Sequence, residues 1–340
     1  MGDPLSLISI YYPELKKREK MYKIAILCSG GDVSGMNAAL KRFVEYALDR
    51  GVIPYFVKNG YEGLIDGEIY KAGYSDVAGI ISIGGTKIYT SRSERFKGYA
   101  SRQKALRHLK SYGITGVVVL GGDGSFRGMQ KLAEESEGIG FMGIPSTIDN
   151  DIAGTEYCLG VDTALNGIRV AIDAIRDTAS SFGRAFVIEV MGRECGYLTL
   201  VSALTSGAEM CLVPEIPYSL SAYKREFLRQ KKEGRKYFIA VVSEALKSTE
   251  KTARWFEEEI LVESRVTVLG HIQRGGIPTV HDRLMAFHFV TAGIDALLEG
   301  TRSAVVCYNK GAFICKSIEE VASQKYVIGE DLLKLGSAFA

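Results

Sequence analysis

An uninterrupted apolar strand, a glycine-rich loop and an amphipathic helix recur along this chain, and that repeat restricts the fold more than any other feature. Residues 23–28 run into Ser29-Gly30-Gly31-Asp32, and residues 36–49 then carry helical periodicity. Residues 52–57 form the next strand, 102–111 a helix, and 116–120 a strand of almost pure valine. Gly121-Gly122-Asp123-Gly124-Ser125 opens a helix reaching about residue 135. The strand at 139–144 runs into Pro145, and 161–180 is a long helix. A second series follows, with strands at 185–191, 210–213, 238–242, 266–269 and 304–308. Helices at 198–205, 221–233 and 281–298 separate them. Apolar strands alternating with helices predict an α/β protein with parallel sheets covered by helices on both faces. About ten strands are many for one open sheet, so two Rossmann-like lobes are expected. No Pro/Gly/Ser linker separates them.

Composition narrows the function. The 340 residues carry 42 basic and 40 acidic side chains, a net charge of +2. That balance gives no reason to expect nucleic acid or an anionic membrane as partner. No apolar run is long enough to span a bilayer. In residues 1–20 the apolar part precedes the basic part, the wrong order for a signal peptide. The six cysteines have no CxxC or metal-ligand spacing, and reduced, buried thiols in a cytoplasmic protein are expected.

The 38 glycines concentrate where chemistry is expected. Open parallel sheets bind ligands beyond the carboxyl ends of their strands. The loops after Cys28, Leu120 and Met191 fall there, and each opens a helix whose free N–H groups and positive dipole end suit phosphate. One such loop alone is equally a packing device; three together read as a phosphate site. Asp123 is placed to hold Mg²⁺, a hard cation that takes carboxylate and phosphate oxygens, with a plain helix cap as the alternative. In Thr147-Ile148-Asp149-Asn150-Asp151, one carboxylate can take the proton of an attacking hydroxyl while another faces the metal shell. An Asx-rich turn uses the same residues. Arg92, Arg184, Arg193, Arg265 and Arg274 stand beside strand ends or glycine loops, where guanidinium forks suit phosphate, or are simply solvated. His271 and Arg274, three apart beside Gly275-Gly276, read as a phosphate pocket or as a capping histidine.

These motifs occur in one order: Ser29-Gly30-Gly31-Asp32 with Gly35-Met36-Asn37-Ala38, Gly84-Gly85-Thr86, residues 121–125, 147–151, Glu189 to Arg193, and 270–276. From about Met21 to the C-terminus the chain resembles the bacterial 6-phosphofructokinases. The resemblance implies transfer of the γ-phosphoryl group of Mg-ATP to the 1-hydroxyl of fructose 6-phosphate, a step of glycolysis in the cytoplasm. It implies Asp149 as general base, with Thr147, Arg193 and Arg92 acting on the phosphates. Gly31, Arg92, Ser93 and residues Gly122, Asp123, Gly124 and Ser125 would bind ATP, with Asp123 on Mg²⁺ and Asp151 in its outer shell. Thr147, Ile148, Asp149, Met191, Gly192, Arg193 and Glu244 would hold the sugar. Arg184, Arg265, His271 and Arg274 would grip its 6-phosphate, the first two from a neighbouring subunit of a homotetramer. Each lobe would be discontinuous: 21–160 with about 273–323 for ATP, and 161–272 with about 324–340 for the sugar phosphate, after an extension at 1–20.

Pyrophosphate-using relatives carry Asp where this chain has Gly124 and Lys where it has Ser146. Gly124 therefore favours ATP, and Ser146, small and uncharged, is compatible with it. Arg176, Glu209, Arg235 and Lys236 match the family's effector site, with Lys41 standing in for one arginine. Glu45 replaces another, and a carboxylate there repels phosphate, so an altered effector response is expected. A non-catalytic subunit would not need Asp149, Asp123 and Arg193 together. NAD or lipid kinases lack the 147–151 and 271–274 motifs, and a dehydrogenase requires GxGxxG after the first strand.

Overall fold

The structure is a computed structural model that describes residues 22–339. The expected extension, 1–20, and Met21 lie outside the described residues. Twelve strands are described: β1 (Lys23–Ser29), β2 (Ile53–Val57), β3 (Ile69–Lys71), β4 (Thr90–Ser91), β5 (Gly116–Gly121), β6 (Gly140–Pro145), β7 (Ala185–Val190), β8 (Met210–Leu212), β9 (Phe238–Ser243), β10 (Ser264–Val268), β11 (Ser303–Asn309) and β12 (Ala312–Ser317). They form two sheets. The larger runs β12-β11-β6-β5-β1-β2-β3 with β4 paired to β1, and the smaller runs β10-β7-β9-β8. Central strands β1, β5, β6 and β9 are buried throughout or nearly so, as strands covered on both faces must be.

The larger sheet is not wholly parallel. β3 pairs antiparallel with β2, and β12 antiparallel with β11. Sequence reasoning ended the strands at 308 and missed β12, an edge strand that is mostly exposed and so lacks an apolar run. Its turn was legible: Lys310 and Gly311 both take positive φ, the geometry of a two-residue hairpin loop. The cysteine expectation also needs one correction. Five thiols are buried, but Cys315, on that edge strand, is exposed.

The helix Val161–Phe182 runs between glycines in left-handed conformation at both ends, Gly160 and Gly183. No side chain of its own caps its start. Instead Asp282, fully buried, reaches in from the helix Val280–Leu298. Its Oδ1 accepts from the Gly160 amide at 2.7 Å and the Tyr157 hydroxyl at 2.6 Å. Its Oδ2 accepts from the Thr163 amide at 2.8 Å and the Thr163 hydroxyl at 2.5 Å. A carboxylate at a helix N-terminus also meets the positive end of the dipole.

Candidate active site

β1, β5 and β6 lie side by side, with Cys28 opposite Leu120 and Leu120 opposite Ile144. Loops 29–35, 121–125 and 146–151 therefore leave the large sheet together. On the small sheet Val190 lies opposite Ser243 and Glu189 opposite Val268, so Met191, Glu244 and Gly270 follow neighbouring strand ends. The two sets of loops meet. The Ser34 hydroxyl donates to the Gly276 carbonyl at 2.9 Å, and Arg274 Nη1 reaches the Asp32 carbonyl at 3.5 Å. A Cβ on Gly31 would stand 2.1 Å from Arg274 Nη1, so that loop must be glycine for the arginine to lie against it.

Between the loops lies a cleft of about 630 Å³. Its lining gathers all the residues expected to touch nucleotide: Gly31, Arg92, Ser93 and Gly122 through Ser125. Thr147, Asp149, Asp151, Arg193 and Arg274 line it as well. The helix Asp123–Glu134 begins here with no side chain capping its first amides, which leaves N–H donors and dipole for an anion. Open space surrounds the Cβ position of Gly124. The Ser125 hydroxyl, by contrast, is occupied by the Ser29 carbonyl at 3.0 Å and the Ser29 hydroxyl at 2.9 Å. Ser146 likewise spends its hydroxyl on the Ile144 carbonyl.

Asp149 is 1% exposed, yet it belongs to the lining of this polar space. Oδ2 stands 3.3 Å from Arg193 Nε. Oδ1 is buried and has no hydrogen-bond partner. Buried carboxylate oxygens are almost always paired, and the exceptions gather at working sites. Burial raises the pKa of Asp149, with the Arg193 and Arg274 charges opposing. Asp151 is pushed up to about 6, first by burial and then by the charge of Asp149.

That shift carries a stability consequence. A carboxyl that binds its proton more tightly in the fold than at its ordinary 3.8 stabilises fully below about pH 4 and loses that contribution as pH rises through 6. Asp151→Asn should therefore raise the urea unfolding free energy of the ligand-free protein by about 2 kcal/mol at pH 8. At pH 4 the gain should vanish. An equal midpoint at pH 8 refutes the assignment.

Other expected residues do not reach the cleft. Ile148 is packed into the hydrophobic core. Glu244 lies behind Arg193, its Oε1 accepting from the Gly192 amide at 3.1 Å and the Arg193 amide at 2.8 Å. These bonds hold Arg193 at a positive φ of 51°. Met191 is fixed from the same side, its amide donating to Gln273 Oε1 at 3.1 Å. His271 is exposed outside the lining. Arg184 and Arg265 stand at the amino ends of β7 and β10, away from the site, where both pair with Glu263. Arg176 and Arg235 gather about Glu209, whereas Lys41 is paired with Glu45 on its own helix.

Sequence reasoning missed part of the lining. Arg127 and Lys131 follow Asp123 at intervals of four on one helix face, a signal that was available. Tyr61 and Phe96 also line the cleft, stacked with ring centroids 3.9 Å apart. Nothing local in the chain joins residues so far apart. Among the described residues no group of three or more His, Cys, Asp or Glu side chains is arranged to hold a metal. Asp123, half-exposed at the cleft and bonded to Arg127 at 3.1 Å, suits a hard cation that draws its other oxygens from phosphate and water.

The comparisons agree with this geometry. The family model described as "Phosphofructokinase" matches residues 23–297. The ATP-dependent 6-phosphofructokinase of Sulfurovum sp. is 77% identical over 319 residues, which cover 94% of this chain and 98% of that protein. That of Sulfurimonas denitrificans is 61% identical, covering 92% of this chain and 98% of its own length. Among solved structures, phosphofructokinase from Saccharomyces cerevisiae superimposes with a TM-score of 0.82 at 34% identity. It covers 89% of this chain, which spans 45% of the yeast chain. No described helix is long and apolar enough to cross a membrane. With its loops converging on one phosphate-suited cleft and its sequence matching relatives over nearly its whole length, the chain belongs to the phosphofructokinase family.

Proposed function

We propose that this protein is an ATP-dependent 6-phosphofructokinase, a phosphotransferase acting on an alcohol. The observation that carries the chemistry is the unpartnered, buried Oδ1 of Asp149, a residue of the cleft lining. The 1-hydroxyl of fructose 6-phosphate gives its proton to that oxygen as its own oxygen bonds to the γ-phosphorus of ATP. The bond from that phosphorus to the bridging oxygen breaks, and ADP leaves. Arg193 and Thr147, both in the cleft lining, take up the charge that spreads over the transferring oxygens. The amides of Asp123 and Gly124 at the helix start receive the nucleotide phosphates, with Arg92 in the same lining. Asp123 would hold Mg²⁺, which would supply neutralisation of the phosphate charge. Beyond that proton transfer the protein contributes positioning and electrostatics, because phosphoryl transfer needs little covalent help.

The sugar 6-phosphate is gripped by Arg274 and His271 together with Arg184 and Arg265 of a neighbouring subunit. The placing of those two at the far end of β7 and β10 supports this sharing. So does the exposure of Val268, Ile272, Ile277 and Val280 around the 270–276 loop, an apolar face suited to a second copy in a homotetramer. The larger sheet draws its strands from 23–145 and 303–317, which supports the discontinuous ATP lobe at 21–160 with about 273–323.

Initial rates at fixed fructose 6-phosphate test the donor. ATP should support turnover and pyrophosphate should not; the reverse would assign the chain to the pyrophosphate-using branch. The ion pair of Lys41 with Glu45 leaves no free cation at that position for a phosphate. Added ADP and phosphoenolpyruvate should therefore leave the rate nearly flat, and a strongly sigmoidal response to either contradicts this reading.

A further inference from the structure

Asn150 separates the two cleft carboxylates and is itself completely buried. Its backbone is left-handed, with φ at 51°. That conformation turns the chain sharply between Asp149 and Asp151, both of which line the cleft. An asparagine tolerates it better than most residues with a Cβ. The side chain is engaged at both ends. Its Oδ1 accepts from the Cys158 amide at 2.8 Å. Its Nδ2 donates to the Glu156 carbonyl at 3.2 Å and to the Tyr326 hydroxyl at 3.5 Å. The loop bearing the carboxylates is thereby tied to the returning segment 156–158 and to the C-terminal segment. The tie continues inward, for the Leu159 amide donates to the Pro145 carbonyl at the end of β6. None of these bonds involves the carboxylate of Asp149, whose Oδ1 stays unpartnered.

We propose that Asn150 is a positioning residue for phosphoryl transfer, its amide and left-handed backbone together holding the Asp149 oxygen where the acceptor hydroxyl must lie. The proposal rests on Asp149 being the general base. Asn150 touches neither the cleft nor substrate. Its loss therefore moves the base without removing a binding contact, and turnover falls while affinity stays. A displacement of about 1 Å costs on the order of 10²-fold in rate when the reacting groups must be near attack distance.

The test compares Asn150→Gly, Asn150→Ala and Asp149→Asn in the full chain, each with kcat, both KM values and a urea midpoint. Asn150→Gly keeps the left-handed backbone and deletes the amide. Its kcat should fall about 10²-fold, with KM for ATP and fructose 6-phosphate within about threefold of the parent. Asn150→Ala disfavours the backbone as well and should fall further. Near-parent kcat in the glycine variant overturns the proposal, as does a loss of kcat that merely tracks the unfolded fraction. If the glycine variant does not fold, Asn150→Asp retains the acceptor and the left-handed tolerance while losing the donor. A parental kcat there overturns the proposal, and a reduced kcat at unchanged KM supports it. Asp149→Asn separates the two ideas: normal turnover in that variant removes the base assignment itself, whereas its inactivity beside fully active Asn150 variants removes only the positioning role.

Discussion

Asp149→Asn lowers kcat by about 10²–10⁴-fold, the usual range for removing a positioned general base. The carboxamide keeps the shape of the side chain but cannot take the acceptor's proton. The KM for fructose 6-phosphate should move little, because the sugar is held by its phosphate contacts and not by this oxygen. The parent's acid limb should lie above the ordinary carboxylate range, since burial raises the Asp149 pKa despite the opposing arginine charges. Below that limb the proton already sits on the base. Wild-type turnover in Asp149→Asn would refute the role.

Asp282→Ala should destabilise the fold by about 3–5 kcal/mol, as expected for breaking a buried charged network. Two amides and two hydroxyls lose their acceptor at once. The urea midpoint should drop with little change in slope. Asp282→Asn is no remedy. Both oxygens of the native carboxylate face donors, so one end of an asparagine would set its own N–H groups against N–H or O–H. An asparagine variant as stable as the parent would show that the network is not what holds the start of the helix Val161–Phe182.

Much of the cleft was legible because its parts are local. Asp123 and Gly124 belong to a loop that any strand-to-helix phosphate site needs, and Asp149 sits in the densest polar cluster at a strand end. Other parts were not. Ser125 looked like a ligand for nucleotide, but its hydroxyl closes the gap to Ser29 across neighbouring strands. Glu244 looked like a sugar contact, and it acts on the backbone of Gly192 and Arg193. Asp282 carried no motif and sits in an ordinary helical pattern. Its importance comes from a partner segment more than a hundred residues away.

The class of fold, the order of its units and the glycine loops suited to phosphate were readable along the chain alone. Those follow from apolar runs, helical periods and glycine turns, each encoded within about twenty residues. Packing of distant segments sets which loops face one another, brings Arg193 to Asp149, and leaves Arg184 and Arg265 away from the cleft. It also decides which polar atoms are spent on the fold and which one, Asp149 Oδ1, is left over. The physical reason is that hydrogen-bond satisfaction and burial are properties of the whole packed chain, set by contacts between segments far apart in sequence.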